Sequence, residues 1–511
     1  MRGPHNIWRL IRTGATFERT GAMSVALDAL AAPRNVRVAA RILGWPFRWL
    51  GYRGDPALPP VTRAITALGP AYIKFGQILS TRPDVVGADL AAQLSYLQDK
   101  LPPFPTPTAE AMIEADLGQP VSEIFSEFSE PVAAASIAQV HRARRADTGA
   151  EVAVKVLRPD IAAAFSRDID AFHFGANMIE ALSPATRRLR PRDVVAHFEG
   201  VVNGELDLRL EAASASLFSE NTRGDPGFQV PRPHWGLTSR RILTSDWAEG
   251  ISLGEVDAIR DAGHDTSALA ERFLQLFLSH ALRDGFFHGD MHQGNLKVAP
   301  NGDLIAYDFG IMGEIDEYTR RTYAEILMGF INRDYDGLAR IHFEAGYVPR
   351  DRDPAAFARA LRAVGEPIFG ADASRISMAN LLGYLFEVTE RFGMQTRTEL
   401  ILLQRTMVVV EGVARSLDPN LNIWNAARPV VERYIRDNLG PRAFVRDSRA
   451  IMQTLHRAMP LMPQLIEDAI WRERQKTEGS TNPRQGFAWP AAATGAAVTA
   501  AIAAILAMTL S

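Results

Sequence analysis

The 511-residue chain contains no cysteine, which excludes disulfides and every cysteine-ligated metal or cluster. It also lacks a positive surplus. Fifty-six Lys and Arg stand against 59 Asp and Glu, a formal net charge of −3, whereas a nucleic-acid binder needs a domain-wide basic excess. The eleven histidines show no metal-ligand spacing beyond His288 and His292. The Arg-rich start is followed by no continuous apolar run, which argues against a secretory leader. What remains is a chain too long for one core, expected to form two or three units in a reducing compartment.

Most of the information lies in His288-Gly289-Asp290-Met291-His292-Gln293-Gly294-Asn295 and the later Asp308-Phe309-Gly310. Phosphoryl transfer needs a carboxylate near the acceptor oxygen and oxygen ligands for a Mg²⁺ that bridges phosphates. Asp290 suits the first role, Asn295 and Asp308 the second. Between the two metal candidates, Leu296-Lys297-Val298 and Leu304-Ile305-Ala306-Tyr307 flank the turn residues Asn301-Gly302-Asp303, so a hairpin is expected that returns Asn295 and Asp308 to one end. The two motifs resemble the catalytic loop and metal-binding turn of a protein-kinase-like fold. His288 then reads as a brace of the loop rather than a ligand.

Upstream, Glu151-Val152-Ala153-Val154-Lys155-Val156-Leu157 matches the kinase strand whose Lys contacts the α/β phosphates of ATP or ADP and pairs with a helical Glu. A helix is expected over 193–221. At 100° per residue Asp207 and Glu211 share a face while Glu205 points away, so these acids have separate jobs. Residues 241–247, Asp246 among them, read as the strand and hinge where backbone would hold adenine.

Two kinase features are missing. In place of a Gly-rich phosphate loop stands Ala133-Ala134-Ala135-Ser136-Ile137-Ala138-Gln139-Val140. Alanine restricts φ and adds a methyl group where glycine would let amides approach phosphate. After Asp308-Phe309-Gly310 the chain runs into a helical stretch near Tyr318 with no Ala-Pro-Glu, so a peptide acceptor has no platform.

Lys74-Phe75-Gly76-Gln77 lies on a probable helix, with Lys74 and Gln77 facing the same way. Together with Pro102-Pro103-Phe104-Pro105, the Ala-rich loop, Lys155, Glu205-x-Asp207 and Glu211, it resembles the UbiB family of atypical kinases over residues 60 to 330. Ala138 stands where some members have Gly. The resemblance implies a Lys-x-Gly-Gln helix folded over the site, with Lys74 reaching Glu205 and Asp207. It further implies an ATPase coupled to membrane lipids that supports ubiquinone biosynthesis. The implied partners are membrane lipid, quinone intermediates and other enzymes of that biosynthesis, with a homo-oligomer left open. A small-molecule or lipid kinase, or a nucleotide-gated lipid-binding scaffold, are the other readings.

The fold expected is α+β: a two-lobed kinase-like body with a helical N-terminal extension and a C-terminal transmembrane helix. Residues 1–55 hold nine Arg against three acids, with Trp8, Trp45, Phe47 and Trp49 interleaved, a composition suited to anionic lipid. The extension is placed at 56–130, the N-lobe at 131–250, the helical C-lobe at 251–440, and a linker with short helices at 441–486. Residues 487–510 form an uncharged, Ala-rich run long enough to span a bilayer. Arg472, Arg474, Lys476 and Arg484 precede it, so the catalytic body is expected on the cytoplasmic face of the inner membrane.

Overall fold

The computed structural model describes residues 4–29, 44–80, 102–182, 190–370, 391–394 and 398–438, with isolated positions between them. Residues 1–436 form one compact unit. The linker and the transmembrane span expected over 441–510 lie outside the described residues. Among the described residues, no helix is long and apolar enough to cross a membrane.

The chain opens with helices α1 (Pro4–Thr20) and α2 (Ala22–Ala29), and a 3₁₀ turn at Trp45–Leu50. Helices α3 (Pro60–Leu68) and α4 (Pro70–Ser80) follow. Pro60 and Pro70 open these two helices, where proline loses no hydrogen bond. Helix α4 buries Ala71, Tyr72, Ile73 and Gly76. A Cβ on Gly76 would come within 2.5 Å of Leu97 Cδ1 and 3.2 Å of Ile65 Cδ1, so glycine is what lets the extension close on itself.

After α5 (Thr106–Leu117) comes the N-lobe sheet: β1 (Phe125–Ala134), β2 (Ala138–Arg145), β3 (Glu151–Leu157) and, beyond a two-residue strand β4 (Phe228–Gln229), β5 (Ile242–Asp246). The four longer strands pair antiparallel in the order β1-β2-β3-β5. Strand β1 begins ahead of residue 131. Period-two alternation divides the sheet. Val152, Val154 and Val156 pack with Met112 and Ile113 of α5 on one face. The other face carries Lys155, flanked in register by Val140 and Leu243, toward the helices α6 (Ile161–Leu182), α7 (Pro191–Glu205) and α8 (Leu208–Asn221).

The single helix expected over 193–221 is two helices. Asp207 leaves helical geometry at φ −127° and caps α8 by accepting from the Arg209 backbone N–H at 3.2 Å. A short polar side chain favours that cap over an interior position.

The C-lobe is built on helix α9 (Thr266–Ser279), whose buried Phe273, Leu274, Phe277 and Leu278 anchor the largest core. Strands β6 (Ile251–Ser252), β7 (Phe286–His288), β8 (Leu296–Val298), β9 (Leu304–Ala306) and β10 (Met312–Glu314) carry the site. The expected hairpin is present, with Leu296 opposite Ala306 and Val298 opposite Leu304. Helices α10 (Glu317–Asn332), α11 (Tyr335–Glu344), α12 (Pro354–Gly370), α13 (Thr398–Leu417) and α14 (Ile423–Asn438) complete the unit.

Candidate active site

Lys155 Nζ lies 2.8 and 2.9 Å from the two carboxylate oxygens of Glu211 and 3.1 Å from Asp308 Oδ2. One ammonium thus joins the sheet, helix α8 and the Asp-Phe-Gly turn. Burial alone would depress the lysine pKa, but Asp308 and Glu211 outweigh it and hold the ammonium well above its ordinary range. The Asp308 side chain is 40% exposed, and Lys155 and the Gly310 backbone N–H, at 3.1 Å, keep its carboxyl well below the usual range. Glu211 is pushed up by burial and held back by Lys155. The site therefore presents an ionised Asp308 at neutral pH.

Asp290 follows β7 on a loop braced from three sides. The Asp290 N–H donates to His288 Nδ1 at 3.0 Å, and buried Thr406 of α13 donates to the Gly289 carbonyl at 2.9 Å. Asn295 Nδ2 donates to the Asp290 carbonyl at 3.0 Å. His288 is fully buried and burial depresses its pKa, consistent with a neutral structural imidazole. His292 accepts from the Gly294 N–H at 2.9 Å, and a Cβ on Gly294 would meet that ring at 2.7 Å. The Asp290 carboxylate itself stays partly exposed, 3.6 Å from His292 Nε2.

The hairpin brings Asn295 and Asp308 to one end, where the Tyr307 N–H donates to the Asn295 carbonyl at 3.3 Å. Mg²⁺ keeps few protein ligands and takes the rest from phosphate and water. One ionised carboxylate and one amide oxygen at the open end of a hairpin fit that need.

The loop Ala133–Val140 turns between β1 and β2. The Ala135 N–H donates to the Ala138 carbonyl at 2.8 Å. Arg158, directly after β3, donates through Nε and Nη2 to the Ala135 carbonyl at 3.0 and 2.9 Å, and through its backbone N–H to the Ile137 carbonyl. Ser136 is buried at the tip. Of the residues assigned to nucleotide from sequence, Val140 shares the face of Lys155, but Gln139 does not. Its register partner is Val156, on the opposite face, and its amide bonds the Phe104 backbone at 2.9 and 3.2 Å. Gln139 ties the Pro-Pro-Phe-Pro segment to the sheet instead of lining the cleft. Alternation along β2 contained this signal.

The Asp246 side chain takes no part in the cleft, which leaves the hinge reading to its backbone. Asp246 ends β5, but its carboxylate accepts from Arg232 at 3.3 Å and His234 at 2.9 Å, so the side chain fastens the hinge from behind.

Lys74 Nζ stands 2.6 Å from Glu205 Oε1, with both side chains largely buried. Asp207, expected to share that lysine, engages the Arg209 guanidinium at 2.6 and 2.8 Å. Gln77 donates to the Leu97 carbonyl at 3.4 Å and serves the extension. Phe75 stacks on Phe172 at 5.0 Å and meets Phe198 edge-on at 5.0 Å, seating α4 against α6 and α7.

Sequence reasoning missed Lys297. Its ammonium donates to the Ala248 carbonyl of the hinge at 2.8 Å and lies over the Trp247 and Tyr307 rings at 5.1 and 5.6 Å. Arg158 was also missed. A cation directly after the lysine strand was its only signal.

A two-lobed kinase-like architecture with a paired lysine and an ordered Asp-Phe-Gly turn places the protein in the kinase-like superfamily. Residues 96–342 match the ABC1 atypical kinase-like domain, and residues 361–422 match the UbiB helical domain. The chain belongs to the UbiB family of atypical kinase-like proteins. Helix α13, which supplies Thr406 under the loop that carries Asp290, lies within the second matched region. Among solved structures, the fold is similar to that of the Rv3197–erythromycin complex from Mycobacterium tuberculosis. That match has a TM-score of 0.52 and 24% identity, covering 70% of this chain and 90% of that one.

Proposed function

We propose that this protein is a Mg²⁺-dependent ATPase of the atypical kinase type that supports ubiquinone biosynthesis at the inner membrane. The observation that carries this reading is the contact of Lys155 with both Glu211 and Asp308, beside a braced Asp290 and Asn295. Lys155 is placed to take nucleotide phosphate, and Glu211 to hold that lysine in position. Asp308 and Asn295 would hold Mg²⁺, which when bound neutralises charge on the phosphates. Asp290, partly open to solvent, would orient an attacking hydroxyl or water. The Lys74–Glu205 pair holds α4 against α7 and favours a small or water acceptor over a peptide.

Membrane placement is supported by the N-terminal region. Arg19 holds the Gly51 carbonyl at 2.6 Å and Thr16 accepts from the Tyr52 N–H at 3.1 Å, fixing the 3₁₀ turn on α1. Trp45 and Trp49 nevertheless remain 70% and 74% exposed beside Arg48. Exposed indoles among arginines suit a lipid headgroup layer. The partners proposed are that lipid, quinone intermediates and the enzymes that act on them.

The test is paired. Purified protein should release phosphate from ATP only with Mg²⁺, and a strain lacking the gene should accumulate quinone precursors. Wild type should reverse the accumulation and Asp308→Asn should not. Normal quinone levels in the deletion strain would remove the biosynthetic role, and full hydrolysis by Asp308→Asn would remove the site assignment.

A further inference from the structure

Away from the nucleotide cleft, α1, Tyr52, the corner between α3 and α4, and α6 line a half-open cavity of about 290 Å³. Three aromatic side chains line it: Trp8, 49% exposed, Tyr52 and Tyr72. Its charges do not cancel. Arg9 is paired with Asp168, whereas the guanidinium of Arg12 lies over the Tyr52 ring at 5.0 Å and has no carboxylate partner among the described residues. The lining therefore carries one uncompensated positive charge.

Two hydroxyls add hydrogen-bonding capacity. Thr13 Oγ1 lies 2.9 Å from the Arg9 carbonyl and 2.6 Å from Tyr72 Oη, and either hydroxyl can donate in the second contact. A phenol both donates and accepts, so in either arrangement Tyr72 keeps hydrogen-bonding capacity at the cavity. Burial pushes the Tyr72 pKa up to about 12, so this group stays a neutral phenol.

We infer that this cavity binds a small arene bearing a single anionic group, its ring between the Trp8 and Tyr52 side chains and its charge on Arg12. A hydroxyl on the arene gains a further bond to Tyr72. The volume lies at the lower end of the range for ligand pockets and suits one ring rather than several. Arginine stacked on an aromatic ring is already oriented to meet a carboxylate with a charge-assisted bond. Occupancy would bear on the cleft, because Tyr72 and Lys74 share one helix. That coupling rests on the function proposed above, while binding itself does not.

The experiment measures binding to the full chain without nucleotide, by calorimetry and saturation-transfer NMR. The probes are benzoate, 4-hydroxybenzoate, neutral benzyl alcohol and ringless glycerol phosphate. The two arene acids should bind, the hydroxylated one more tightly, and the other two at least tenfold more weakly. Arg12→Gln, at an exposed position, should weaken both arene acids at least tenfold with an unchanged melting temperature. Tyr72→Phe should erase the preference for the hydroxylated acid. Should Arg12→Gln reduce solubility, Trp8→Ala carries the same expectation. Equal binding by glycerol phosphate would mean a lipid-headgroup site and overturn the proposal, as would unaltered affinity in both Arg12→Gln and Trp8→Ala.

Discussion

Lys74 and Glu205 meet at 2.6 Å across the join between the extension and the kinase-like body. Both side chains are mostly removed from solvent, so the attraction between them is little screened. Removing one partner of a buried pair leaves the other charge less well compensated, which typically costs up to ~3–5 kcal/mol. Lys74→Ala should lower the urea midpoint by a matching amount and change ATP turnover. The exchange Lys74→Glu with Glu205→Lys should recover part of both. A double variant no better than the sum of its parts would separate the two residues.

The proposed metal ligands can be tested without turnover. Asp308→Asn removes the ionised ligand and should abolish the Mg²⁺-dependent part of the nucleotide-induced rise in melting temperature. Glu211→Gln leaves the ligand but loosens Lys155. It should weaken nucleotide about tenfold, ~1.4 kcal/mol, while keeping the Mg²⁺ response. If the two variants behave alike, metal and phosphate contacts are not divided between these residues.

Arg158 clamps the Ala-rich turn by two bonds to one carbonyl. Arg158→Ala should free that turn and raise hydrogen exchange at residues 134–138. Ala135→Gly adds backbone freedom and should act in the same direction, altering the ratio of ADP to ATP affinity. Unchanged exchange and an unchanged ratio in both would show that the turn has no part in holding phosphate.

Buried histidines set a pH dependence. Burial depresses His141, His280, His288 and His342, so each folded-state pKa lies below the unfolded value near 6.5. The neutral form is favoured by folding. Their contribution is complete above pH ~6.5 and is lost as pH falls below it, by up to ~1.4 kcal/mol per unit for each group. Stability should drop between pH 7.5 and 5.5, and His342→Leu should flatten that slope by about one proton. An identical slope in the variant would exclude His342 as a contributor.

Much of the cleft was legible because spacing and chemistry agreed. A lysine on a β-branched strand, an Asp and Asn five residues apart and a turn-flanked hairpin each predict a local structure that the fold then superposes. What escaped the sequence was orientation. Gln139 lies inside the loop that was assigned to nucleotide, yet strand alternation turns it to Phe104. Asp207 fits a helical face only if the helix continues, and its own capping tendency ends that helix. Lys297 and Arg158 act on carbonyls distant in sequence, and main-chain acceptors leave no residue-type signature. The Arg12 cavity was invisible for a related reason, since its walls come from four separated segments.

The 3.1 Å contact between Lys155 and Asp308 has a consequence for order of arrival. A divalent ion approaching Asp308 alone meets an ammonium already on that carboxylate, and the two positive charges repel. Phosphate approaching Lys155 draws the ammonium away and uncovers the carboxylate. On the proposed function, the anion should come first or bring its cation with it. Free Mg²⁺ should bind this protein weakly and become a strong ligand only in the company of nucleotide.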